Sequence, residues 1–189
     1  MVNAKWVAQI GLSILLVSVG CLSDAHAHEQ QNAQRIITAG GSLTEIVFAL
    51  ELGDQVVATD STSMYPEKAR HITKLGYFRQ LSTEGVLAQQ PTLLLGASAT
   101  GPSDMIEQVS GAGVDVVIYD MPKNLQGLRQ LIEHVGEKLQ VSDKAQHLAT
   151  TISARASREV EAFKKQKAAY SPVDNRPMKA LFVVSNNDR

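Results

Sequence analysis

The residues best suited to chemistry stand in the tetrapeptide GYFR, Gly76 to Arg79, where a phenol and a guanidinium lie two positions apart. A turn-forming glycine precedes them and a helix-start signal, Ser82-Thr83, follows. In extended chain, residues two apart point the same way, so Tyr77 and Arg79 are expected to face one ligand together. A phenol, with an ordinary pKa of about 10, binds a hard ferric ion as phenolate, and a guanidinium beside it stabilises that anion. Tyrosine occurs among the protein ligands of haem iron and suits the oxidised metal. The plainer alternative is a half-buried tyrosine beside a surface arginine, and spacing alone leaves both readings open.

Other constellations carry less. The chain contains no GxSxG, no HExxH, no P-loop and no dinucleotide fingerprint after its first strand pattern, so no enzyme is expected. GGSLTE at Gly40 to Glu45 lets a strand turn into a helix; its first amides could face an anion, or the stretch could be a simple turn. His71, His134 and His147 are scattered without metal-ligand spacing. The run REVEAFKKQK reads as a solvated helix face.

These residues need a scaffold, and the composition allows an ordinary one. The 189 residues are 44% hydrophobic with a formal net charge of -1, and 5% are aromatic. Neither the basic footprint nor the stacking platform of a nucleic-acid binder is present, and nucleic acid is not expected as a partner. At the start, Lys5, the apolar run WVAQIGLSILLVSVGCL and the AHAH sequence at Ala25 to His28 lay out a signal peptide over residues 1–27. The expectation is export to the periplasm with a mature chain beginning at His28. The competing reading, Cys21 as a lipidated lipoprotein cysteine, lacks the usual leucine three residues earlier. The apolar run is also shorter than the roughly 20 residues that span a bilayer.

From Arg35 onward, short continuous apolar runs alternate with helical patterns. RIITAGG is a strand, and SLTEIVFALELG a helix with Ser42 and Glu45 spaced as a capping box and Gly53 ending it. QVVATD is a strand and YPEKARHI a turn with a short helix; EGVLAQQ is helical, PTLLLG a buried strand, DMIEQVSGAG a helix and VDVVIYD a strand. Apolar runs separated by helices predict an α/β fold, a parallel sheet covered on both faces, over residues 34–121. Residues 122–170 read as helices, the second running from Ser142-Asp143 for nearly thirty residues, about 40 Å at ~1.5 Å per residue. SPVDNRP is a loop and MKALFVVS one further strand, so residues 171–189 read as the start of a second lobe that stops after its first strand.

The segments RIITAGGSLTEIVFALELGDQVVATDSTSMYP, KLGYFRQLSTEGVLAQQPTLLLG and GAGVDVVIYD resemble the periplasmic haem-binding proteins of bacterial haemin ABC importers. That class also carries vitamin B12 and ferric siderophores, so a cobalamin or ferric-siderophore carrier is the alternative. The resemblance implies Tyr77 as the axial ligand of ferric haem, Arg79 as its support and Tyr65 on the same cleft edge. It implies Glu84, in the first turn of the following helix, as the residue that docks on an inner-membrane ABC permease. It also implies two lobes clamping the ligand, of which this chain carries one and a beginning. A half-site is therefore expected, or a fragment without function.

Overall fold

The computed structural model describes residues 34–169. The expected signal peptide, its cleavage point, Cys21 and the strand MKALFVVS lie outside them.

Within that span the α/β expectation holds. Five strands, β1 (Ile36–Ala39), β2 (Val56–Thr59), β3 (Thr73–Lys74), β4 (Leu93–Ala97) and β5 (Asp115–Tyr119), form one sheet in the order β3-β2-β1-β4-β5. Every pairing is parallel. The helices are α1 (Gly41–Ala49), α2 (Thr83–Leu87), α3 (Ser103–Gly111), α4 (Leu125–Lys138) and α5 (Ser142–Ala169).

The apolar strands read as continuous runs because both faces are covered. Successive residues of a strand point to opposite faces. Ile36, Leu93 and Leu95 meet α1, α4 and the start of α5 on one side. Ile37 and Leu94 meet Val86 of α2 and Met105 and Val109 of α3 on the other. Residues on both sides of Met121-Pro122 share the first of these cores, since Leu131, Ile132, Val135, Ala145 and Ala149 belong to it.

Two helix ends differ from expectation. No Ser42–Glu45 capping box forms: α1 starts at Gly41, Ser42 falls inside its first turn, and Gly40, at φ 120°, holds the cap position. The helix ends before Gly53. Glu51 takes the left-handed conformation at φ 64°, with Glu51 N donating to Phe48 O and Leu52 N to Val47 O. That is the paired-bond ending usually given to glycine. Gly53 serves packing instead, because a Cβ there would stand 2.4 Å from the ring of Phe48.

Strand β3 had no sequence signal, since two residues cannot show a period. It is held by pairing with Ala58 and Thr59.

Candidate ligand-binding edge of the sheet

In a parallel sheet with helices on both faces, all the loops that follow strands collect at one edge, and ligands bind where the strand order reverses. Here the chain winds outward from β1 through β2 to β3, then returns to β4 on the other side of β1. The reversal lies between β1 and β4. Tyr65, Tyr77 and Arg79 sit on the loops after β2 and β3 at the same edge, and bonds from Gly101 N to Phe78 O and from Leu81 N to Gly101 O join the loop after β3 to the loop after β4.

Tyr77 is delivered by a short chain of backbone ties. β3 ends at Lys74, Leu75 N donates to Thr59 O at 2.9 Å, and Gly76 then turns the chain at φ 93°. A side chain rarely adopts that conformation, so glycine is required by the backbone there. Ser61 N donates to Gly76 O at 2.7 Å, and Gly101 N to Phe78 O at 3.0 Å. The residues flanking Tyr77 are thereby tied to the loops after β2 and β4.

Phe78 is the anchor between the two candidate residues. It packs partly buried against both cores, its ring edge-on to Tyr77 with centroids 4.8 Å apart. Tyr77 is left 43% exposed and Tyr65 65%, open enough to meet a ligand. The chain is not extended across the pair: Phe78–Gln80 form a 3-10 turn, which sets Arg79 off from the direction of Tyr77. Among the described residues no hydrogen bond joins the two. The guanidinium carbon of Arg79 lies 5.6 Å from the Phe78 ring centroid, in cation–π range.

Glu84 stands exposed in the first turn of α2, whose N-cap Ser82 accepts from Gly85 N at 3.1 Å. A carboxylate in a first turn is favoured by the helix dipole whatever else it does.

The structure adds a buried polar network that the sequence reading passed over. Asp60, 1% exposed, follows β2. Its Oδ1 accepts from Gly40 N (3.0 Å) and Ser63 Oγ (2.6 Å), and its Oδ2 from Thr62 N (2.9 Å) and Thr62 Oγ1 (2.5 Å). Because an ionised carboxylate only accepts, Ser63 must donate to it. Ser63 Oγ is thereby free to accept from Thr44 Oγ1, which in turn accepts from Thr38 Oγ1, each contact at 2.7 Å. Of the two readings of GGSLTE, a turn or an anion on the first amides, the structure shows a turn whose Gly40 amide is taken by the chain's own Asp60 carboxylate. Lys74 closes the same loop from its far end: Nζ donates to Thr59 Oγ1, Ser63 O and Ala69 O. Burial pushes the Lys74 amine below its usual range, and the Asp60 carboxylate opposes that shift. The run D-S-T-S after a strand was the available signal, since such side chains close local turns. Lys74 gave none, because a lone lysine reads as surface.

Further along this edge, a cleft of about 770 Å³ opens between Ser98, after β4, and Asp120, Lys123 and Asn124, which lead from β5 into α4. That volume lies in the range of small-molecule sites. No group of three or more histidine, cysteine or carboxylate side chains is placed to hold a bare metal ion among the described residues.

Residues 36–185 match the family described as periplasmic binding protein. A periplasmic heme binding protein from Pseudomonas aeruginosa superposes with a TM-score of 0.69 at 33% identity, covering 72% of this chain and 49% of that one. The periplasmic heme-binding protein RhuT from Roseiflexus sp. RS-1, in apo form, gives 0.65 at 36% identity over 67% of this chain and 49% of its own. A vitamin B12-binding protein of Vibrio campbellii is 32% identical over 60% of this chain and 42% of its own length. The chain spans about half the length of the relatives it matches.

Proposed function

Since the match over residues 36–185 makes this chain a member of the periplasmic binding protein family, we propose that it carries ferric haem across the periplasm to an ABC importer in the inner membrane. The observation that carries this reading is Tyr77, an exposed phenol on the ligand edge, held from both sides by backbone bonds at Gly76 and Phe78. The kinship with two periplasmic heme-binding proteins at 33% and 36% identity supports it.

The work required is reversible coordination without covalent chemistry. The Tyr77 phenol releases its proton to solvent and its oxygen holds the ferric iron of the cargo. Arg79, on the adjacent turn and over Phe78 in the free chain, favours the phenolate once its guanidinium swings toward that oxygen. The exposed aromatic face of Tyr65 supplies apolar surface for the macrocycle. Glu84 presents a carboxylate to basic groups of the permease.

The test is a visible absorption titration of the full chain with ferric haemin beside Tyr77→Phe. A saturable spectrum with a tyrosinate charge-transfer band that vanishes in the variant is the expected result. An unchanged spectrum in the variant overturns the assignment of Tyr77.

A second reading, a corrinoid carrier, is favoured by the vitamin B12-binding relative. Tyr77 is then a wall of the pocket. Cyanocobalamin would displace haemin or bind alone, and Tyr77→Phe would leave its binding nearly intact.

A further inference from the structure

In the loop that bears Tyr77, Leu75 and Phe78 pack against the cores, but Gly76 and Tyr77 between them do not. Gly76 has open space where a Cβ would be, and Tyr77 projects with nearly half its surface exposed. Its position is set after it by the Phe78 anchor and before it by the Ser61 amide on Gly76 O, 2.7 Å. Ser61 belongs to a segment with the same difficulty: Ser61 and Thr62 are both exposed, and no apolar side chain of theirs reaches either core. Polar bonds hold that segment, and they converge on one buried carboxylate.

We propose that Asp60 is a positioning residue for Tyr77, fixing through Thr62, Ser63 and the Ser61 amide the place at which the phenol oxygen meets its ligand. This rests on the reading of Tyr77 as the ligand-bearing residue. The carboxylate takes two donors on each oxygen, so the plane of the group and the course of residues 60–63 are set together. Gly40 N is one of those donors, which references the loop to the rigid junction of β1 and α1. Ser63 is referenced a second time through the Thr44–Thr38 hydroxyl chain. On the other side Lys74 joins Ser63 O and Ala69 O to the strand immediately before Gly76. The segment from Asp60 to Gly76 is thereby closed at both ends, and Tyr77 is the next residue out.

An amide at position 60 cannot reproduce this. Asn has one accepting oxygen, and its NH2 would face one backbone N–H and one hydroxyl; the hydroxyl can turn to accept, but the amide of Gly40 or of Thr62 loses its acceptor whichever way the side chain turns. Ser63→Ala is the milder probe: it removes one donor and the link to Thr44 but keeps the carboxylate and the Thr44–Thr38 contact.

The experiment reads amide hydrogen exchange and haemin spectra of the full chain for wild type, Asp60→Asn and Ser63→Ala. The expected result is a selective loss of protection at the Ser61 amide, by roughly tenfold, while the amides of buried β4 keep theirs. The haemin band moves, or saturation needs correspondingly more haemin, although Tyr77 is untouched. A loss of protection spread evenly over Ser61 and β4 overturns the proposal, as does a wild-type spectrum in both variants. If Asp60→Asn does not fold, Ser63→Ala decides by the same criteria. If wild type gives no tyrosinate band, the haem reading has failed, and the exchange pattern alone decides whether Asp60 sets the Tyr77 loop.

Discussion

At the scale of single residues, the site is a case of exposed groups placed by buried ones. GYFR was legible because its residue types carry chemistry, and Tyr77 and Arg79 lie in the loop that follows β3. Their mutual geometry was not legible, because the 3-10 turn at Phe78–Gln80 depends on Phe78 finding both cores, and that is a tertiary fact. Asp60 was invisible for a related reason: a carboxylate reads as surface until four donors surround it. Tyr119 at the far end of β5 offers a pH test of a half-buried phenol. Burial, then the carboxylates of Asp115 and Glu137, raise its pKa above the ordinary value of 10.0. The folded state therefore holds the neutral phenol more strongly than the unfolded chain does. That contribution is complete below the unfolded value and is lost as pH rises through the folded one. Urea unfolding from about pH 9 to pH 11 should show wild type losing more stability than Tyr119→Phe over that interval. Equal slopes for the two proteins would mean that partial burial and the two carboxylates do not favour the neutral phenol.

At the scale of elements, the sequence told strands from helices because continuous apolar runs and helical spacing leave different traces. It located the ends less well. Both the Ser42 cap and the Gly53 stop were placed by residue type, whereas the backbone put Gly40 and Glu51 in those positions. Gln140 ends α4 in the same left-handed way at φ 59°, with Val141 N on Gly136 O. Gly136 itself fixes how α4 meets α5. A Cβ there would lie 2.1 Å from Cβ of Ala145, which is fully buried and has no rotamer by which to withdraw. Gly136→Ala gains about 1 kcal/mol in helix propensity but incurs about 1–3 kcal/mol of overpacking. The net expectation is destabilisation by up to about 2 kcal/mol, read as a lower urea midpoint. Adding Ala145→Gly should restore part of it, and strict additivity of the two changes would show that the helices do not touch there.

For the whole molecule, the parallel sheet brings loops distant in sequence to one edge and leaves α2 on the flank, with Glu84 exposed. If Glu84 serves docking, Glu84→Arg should leave the haemin spectrum of the isolated protein unchanged while cutting haem uptake through the importer by about tenfold or more, as reversal of a charge at an interface does. Uptake at the wild-type level would remove Glu84 from the docking surface. The length of α5 was legible in the sequence, and its role at the lobe was not, since only its first turns join the core, at Ala145 and Ala149, with Ile152 packed against them. Residues 157–167 are exposed, Val160 and Phe163 among them. Beyond Ala149 the helix continues for about 30 Å to Ala169 at ~1.5 Å per residue. It is a cantilever clamped at Ala145 and Ala149, and a tilt of roughly 10° in the clamped turns would carry its tip about 5 Å over that length.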